Sequence, residues 1–241
     1  MKALVMQTKQ CRRSRQVLGL LSVLAGAALV TACGGGADDS SAADTAALKV
    51  DLKIASDSFI GRDLDALRRS DDAMALSERL FDAYCAGCHG ADGTGKKGVT
   101  DLTRGHFNYG TSAEAISTTI RDGRHSAMPA LGREYGEVEI GQLVSYVQIL
   151  TQGGELENYD ERGRQAFAER CAACHGEDGR GQPELGASDL GDEYWQHGDS
   201  MMNIRLVITR GVESECPAHG GELTPVEIDL LTAYVQRWVG S

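Results

Sequence analysis

The sequence predicts an all-α protein built from two copies of one small module, on three observations. The run Cys85-Ala86-Gly87-Cys88-His89-Gly90-Ala91-Asp92-Gly93-Thr94-Gly95 returns as Cys171-Ala172-Ala173-Cys174-His175-Gly176-Glu177-Asp178-Gly179-Arg180-Gly181. Beyond these runs, Gly98 and Gly186, Leu102 and Leu190, Gly110 and Gly198, Ile120 and Ile208, Gly123 and Gly211, Pro129 and Pro217, and Tyr146 and Tyr234 all stand 88 residues apart. His89 and His175 stand 86 apart, which puts a slip of two residues just after the glycine-rich runs. The third observation is periodicity. Leu80, Phe81 and Tyr84 lie on one helical face leading into the first run, and Phe167 stands before the second run as Phe81 does before the first. Leu143, Tyr146, Val147 and Leu150 then mark a closing helix that recurs as Leu231, Tyr234, Val235 and Trp238.

C-x-x-C-H is the attachment signature of c-type haem. Two thiols at this spacing add across the vinyl groups of one porphyrin, and the next residue, His89 or His175, binds its iron from the proximal side. Glycine lets the backbone turn sharply and pass close to a flat group. C-x-x-C alone would also suit zinc or a dithiol redox site. The repeated histidine and glycine run favour two covalent haems on Cys85 and Cys88 and on Cys171 and Cys174, with a four-Cys, two-His zinc protein as the alternative.

The chain has 241 residues, 41% hydrophobic and 5% aromatic, so each small module needs the porphyrin as part of its core. The net charge is −11. Residues 1–32 hold five positive charges and no acid, so the chain without them stands at −16. That balance argues against nucleic acid and suits either a solvated surface or a basic redox partner. The N-terminus joins a basic stretch, Lys9 to Arg15, to the apolar run Val17 to Val30. At 14 residues the run is shorter than the ~20 of a spanning helix and reads as an export signal. Val30-Thr31-Ala32-Cys33 looks like a lipobox, which implies cleavage before Cys33 and a lipid on its sulfur.

The expected organisation is therefore a lipoprotein signal peptide (1–32), a tether and arm (33–70), module 1 (71–152) and module 2 (153–241). Gly34 to Ser41 has the composition of a flexible tether, and residues 45 to about 70 read as a weakly specified helix or arm packing on module 1. Gly34 after the lipobox lacks the aspartate of inner-membrane retention, which favours the outer membrane, with the modules facing the periplasm.

Each iron needs a distal ligand. In module 1 Met128 stands before Pro129, which stiffens its loop, with His125 as the rival. The offset of 88 carries Met128 onto Cys216, also before a proline, and so places a cysteine where the second iron needs its ligand. A thiolate there would make the second haem the more reducing of the two. Met201, Met202, His197 and His219 are the substitutes, and an inert thiol or a vacant position stays open. Trp195 with Arg121 or Arg124 is a candidate for haem propionates.

With these motifs placed, residues 77–239 resemble the diheme c-type subunit of C-family (cbb-type) haem-copper oxidases. The resemblance rests on the paired C-x-x-C-H-G-x-D-G-x-G runs, on Gly123-Arg124-His125 to Met128-Pro129-Ala130, and on Pro217 to Leu223 followed by Ala233-Tyr234-Val235. It implies two tandem class I cytochrome c domains, His/Met ligation and relay of electrons between a redox donor and acceptor, such as a terminal oxidase or another respiratory complex. Two features depart from that subunit: a lipid anchor at Cys33 in place of a transmembrane helix, and Cys216 in place of the second methionine. Both point to a free-standing relative. The favoured function is a single-electron carrier. The alternatives are an enzyme of the thiosulfate dehydrogenase type with a His/Cys-ligated second haem, a haem-based sensor, and diheme peroxidase chemistry.

Overall fold

A computed structural model of the chain describes residues 39–151 and 161–239. The expected leader, Cys33, most of the tether and the linker at 152–160 lie outside the described residues. From Ser40 onward the chain packs as one compact unit.

The chain begins with α1 (Asp39–Ser56) and α2 (Leu64–Arg68), the arm, followed by α3 (Asp71–Tyr84), which runs into the first Cys-His turn, α4 (Ala86–His89). After a loop come α5 (Ala113–Asp122), the strand β1 (Arg124–Met128) and α6 (Glu137–Thr151). The second copy supplies α7 (Glu161–Arg170), α8 (Ala172–His175), α9 (Met201–Arg210), β2 (Val212–Cys216) and α10 (Pro225–Val235). Among the described residues the architecture is all-α with one short two-stranded ladder, and both copies are cytochrome c folds.

Local sequence accounts for the helix ends. Ser112 and Ser200, equivalent under the offset, cap α5 and α9 by accepting hydrogen bonds from the amides of Ala115 and Asn203. Thr224 and Glu227 form a reciprocal capping box at α10, with Pro225 in the first turn. At the matching start of α6, Gly136 has no side chain, so only the return half of the box survives, its amide donating to Glu139 at 2.8 Å. Glu227 is 2% exposed and accepts from both the Thr224 amide and hydroxyl. Thr224→Ala is therefore expected to cost about 1 kcal/mol. Thermal or urea melts followed by circular dichroism would check this, and an unchanged midpoint would contradict it.

The arm is part of the core. Leu52, Phe59 and Leu67 are buried with Leu76, Leu80 and Phe81 of α3. Lys49 ties α1 to Glu222 at 2.8 Å and lies over the Tyr84 ring.

The closing helices are exchanged between the copies. Sequence order predicts that α6 packs on α3 and α10 on α7. Instead, Phe81 of α3 meets Tyr234 at 5.4 Å between ring centroids and Trp238 at 5.7 Å. Phe167 of α7 meets Tyr146 of α6 at 5.2 Å. Two cores result. One joins the arm, α3, Ile116 of α5 and α10, and the other joins α6, Phe167, Cys171 and Ile204 and Ile208 of α9. Each five-residue strand carries its chain away from the half it came from, and the two strands meet antiparallel as they cross.

The crossing is symmetric. Ser126 pairs with its own equivalent, Ser214, and their hydroxyls are 3.0 Å apart, so a pseudo-two-fold axis passes between them. His106 stacks on its equivalent, Tyr194, at 5.8 Å. The amides of Leu131 and Gly132 donate to the carbonyls of Ile208 and Thr209, and those of His219 and Gly220 donate to Ile120 and Arg121, which are the equivalent bonds. Gly123 and Gly211, both at φ +70°, end α5 and α9 where the strands depart. A β-carbon at Gly123 would lie 2.6 Å from the Cys216 carbonyl oxygen, and one at Gly211 would lie 2.5 Å from that of Met128. Both the left-handed backbone and the close approach of the other strand require glycine there.

Candidate haem centres

The two attachment sites are built alike. The last turn of α3 or α7 leads directly into the motif, whose four-residue helix ends on a glycine at positive φ, Gly90 or Gly176. The His89 Nδ1–H donates to the Thr100 carbonyl at 3.1 Å, and the His175 Nδ1–H donates to that of Ser188 at 2.9 Å. With Nδ1 committed, the other ring nitrogen is the one free to bind a metal. Sequence reading missed both carbonyl partners, because a main-chain oxygen leaves no residue-type signal. Their equivalence under the offset, Thr100 with Ser188, was the available clue.

All four motif thiols are free of disulfides. Burial first, then the nearby Cys216 and Cys88, pushes the Cys85 thiol up to about 12. Burial, then Cys174, pushes Cys171 up to about 11. Both stay neutral thiols, the form that adds to a vinyl group. Among the described residues no group of three or more His, Cys, Asp or Glu side chains converges as a metal site.

The candidate distal residues sort clearly. Along β1, Arg124, Ser126 and Met128 are half-buried, while His125 and Ala127 are exposed on the opposite face, so His125 points away from the side Met128 uses. Met128 packs on the core that contains Cys171. Met201 and Met202 open α9 at 54% and 65% exposure. Cys216 is half-buried, its thiol raised first by burial and then by Cys88, with Arg124 across the ladder opposing the shift. His219 stacks edge-on against Tyr84, the residue before Cys85, at 5.9 Å. Under the offset Cys216 belongs with His175, but the loop that carries it lies against the first motif, because β2 crosses the pseudo-axis.

The residues read as propionate partners make these contacts. The Trp195 indole N–H donates to the Asp192 carbonyl, Arg121 donates to Ser117, and Arg124 donates to Thr119 while its guanidinium covers the Tyr109 ring.

Two family descriptions match the chain: "Cytochrome C oxidase, cbb3-type, subunit III" over residues 72–147 and "Cytochrome c" over residues 161–238. Among curated relatives, the cbb3-type cytochrome c oxidase subunit CcoP of Rubrivivax gelatinosus is 36% identical over 178 residues, covering 73% of this chain and 58% of the relative. The FixP subunit of a Bradyrhizobium species is 33% identical over 179 residues, covering 70% and 62%. That of Azorhizobium caulinodans is 33% identical over 187 residues, covering 74% and 62%. The chain thus spans roughly three-fifths of the length of these relatives. With two matched domains and two C-x-x-C-H motifs, the chain is built of two tandem cytochrome c domains, carries two covalently bound haem c groups and resembles the diheme subunit of cbb3-type oxidases.

Proposed function

We propose that this protein is a periplasm-facing diheme carrier, tethered by lipid at Cys33, that moves single electrons between a redox donor and a respiratory acceptor such as a cbb3-type terminal oxidase. The observation that carries this reading is the building of both attachment sites into one packed unit joined across a pseudo-two-fold axis. Such a unit gives electrons an internal step between two centres without requiring a substrate cavity. His89 and His175 act as proximal ligands, and Met128 and Cys216 as distal ones. No helix among the described residues is long and apolar enough to cross a membrane. The lipobox supplies the anchor in this reading, and the missing aspartate after Cys33 directs it to the outer membrane.

A second reading is favoured by one residue. Cys216 places a thiol beside a haem motif, which suits an enzyme of the thiosulfate dehydrogenase type. Stopped-flow mixing of the reduced protein with membranes containing a cbb3-type oxidase separates the two. A carrier gives rapid oxidation of both haems, slowed by salt, and no turnover of thiosulfate. Thiosulfate oxidation without exchange with the oxidase would replace it by the enzyme. In cell fractionation, Cys33→Ser is expected to move the protein from the membrane to the soluble fraction, and retention in the membrane would remove the anchor from the proposal.

A further inference from the structure

The two copies also meet through the loops that follow their attachment motifs. In each copy that loop carries the carbonyl that holds the proximal histidine, Thr100 for His89 at 3.1 Å and Ser188 for His175 at 2.9 Å. Residues 192–196 of the second copy lie against the loop of the first. The Gln196 side-chain amide donates to the Gly98 carbonyl at 2.7 Å, the Tyr194 ring stacks on His106, and the Asp101 amide donates to the Tyr194 hydroxyl at 2.9 Å. Tyr194 is held from behind, its own amide donating to the Asp192 side chain at 2.9 Å. Asp101 follows Thr100, so the carbonyl that accepts from His89 and the amide that donates to Tyr194 are the two ends of one peptide group. The contacts run without a break from the His89 Nδ1–H through this peptide to the Tyr194 oxygen. The second copy is built differently. His106 holds the place of Tyr194 under the offset, and its Nδ1 bonds to the Asp192 carboxylate at 3.0 Å rather than to the peptide between Ser188 and Asp189.

We propose that Tyr194 is a positioning residue for the haem of the other copy: acting through the peptide between Thr100 and Asp101, its hydroxyl strengthens the hydrogen bond on His89 and lowers the potential of the first haem. This rests on the reading of His89 as a proximal iron ligand and adds a residue of the second copy that acts on it. Hydrogen bonds in a chain polarise one another. When the Asp101 N–H donates to an oxygen, electron density moves towards the Thr100 carbonyl, which becomes the better acceptor for His89. A stronger bond from Nδ1–H raises the basicity of the other ring nitrogen, and a more basic ligand stabilises ferric over ferrous iron. Burial, ahead of its other neighbours, pushes the Tyr194 hydroxyl above its ordinary range, so the acceptor is the neutral phenol. The effect falls on one haem only, because His106 turns its ring nitrogen to a carboxylate. The two centres thus differ behind their proximal ligands even though the motifs themselves repeat.

The test compares the intact diheme protein with Tyr194→Phe, which removes the hydroxyl and keeps a ring to stack on His106. In proton NMR of the reduced form, the His89 Nδ1–H resonance is traced through its haem to the thioether bridges of Cys85 and Cys88. It is expected to move upfield in the variant while that of His175 stays in place. In spectroelectrochemical titration, the reduced-to-oxidised ratio of the first haem at a fixed potential is expected to rise roughly two- to threefold, as for the loss of one cooperative bond. That is about 18–28 mV at about 59 mV per tenfold for one electron, with the second haem unchanged. Gln196→Leu is the control. It removes the neighbouring contact without touching the Asp101 amide and is expected to leave both readouts at their wild-type values. An unmoved His89 resonance in Tyr194→Phe overturns the proposal, and so does an equal shift in Gln196→Leu, which would assign the effect to loop packing. In the wild type the Asp101 amide is expected to resist hydrogen exchange, and exchange at the rate of an open loop overturns the hydrogen bond itself. A His89 ring whose carbon-bound protons lack the upfield shift of an iron ligand shows instead that His89 does not bind iron, and the proposal falls with that reading.

Discussion

Replacing Cys216 by methionine is expected to raise the reduction potential of one haem by several hundred millivolts while leaving the other nearly unchanged, within the ~0.8 V range that axial ligands command. A thiolate donates electron density and stabilises ferric iron, whereas a thioether favours the ferrous state. The position suits the change, since Cys216 is the pseudo-symmetric equivalent of Met128 and both lie half-buried at the ends of paired strands. Arg124, opposite Cys216, loses its anionic neighbour, which adds a smaller push in the same direction. Spectroelectrochemical titration should show two well-separated midpoints in the wild type converging in the variant. Two closely spaced midpoints in both proteins would remove Cys216 from the iron.

The second large effect is in how the aromatic residues couple. Phe81 is fully buried against Tyr234, and Phe167 nearly so against Tyr146. Either phenylalanine replaced by alanine is expected to cost about 3–5 kcal/mol, as for other buried aromatic truncations. The informative quantity is the pairwise coupling. Double-mutant cycles for Phe81 with Tyr234 and for Phe167 with Tyr146 should each return about 0.5–1.5 kcal/mol beyond additivity. Cycles for Phe81 with Tyr146 and for Phe167 with Tyr234 should be additive to within about 0.5 kcal/mol. Leucine replacements keep most of the buried volume if the alanine variants prove too unstable to measure. Coupling in the second set rather than the first would place each closing helix on its own module.

The attachment chemistry was legible because it is contiguous: five adjacent residues carry the thiols, their spacing and the proximal ligand. The equivalence of Met128 and Cys216 was legible through the offset, and the helices that lead into the motifs and close the modules through apolar periodicity. The exchange was not legible, and the reason is the duplication itself. In a tandem repeat every helix has two chemically equivalent partners. A tyrosine fits against Phe81 whether it comes from position 146 or 234, so the residue pattern is the same for both pairings. The ladder was hidden for a related reason. Arg124 to Met128 and Val212 to Cys216 are poor in β-branched and aromatic residues, and each strand exists only because the other is there. The arm was recognised as packing on the first module, but its depth was not. Leu52 and Leu67 are completely buried within a charged stretch whose outer face dominates the composition.

The crossing also sets the order in which the molecule is completed. Phe81 and Tyr234 are separated by more than half the chain, so closing this contact is a long-range and slow event compared with the local hairpin of α6 and α7. The core that holds Cys171 draws its apolar side chains from a single stretch, Met128 to Ile208, all of it synthesised before α10. The first centre, though its cysteines are synthesised earlier, waits for the last helix before its far side is covered. Neither half is a separable protein, since cutting between the repeats would strip each motif of the helix that covers it.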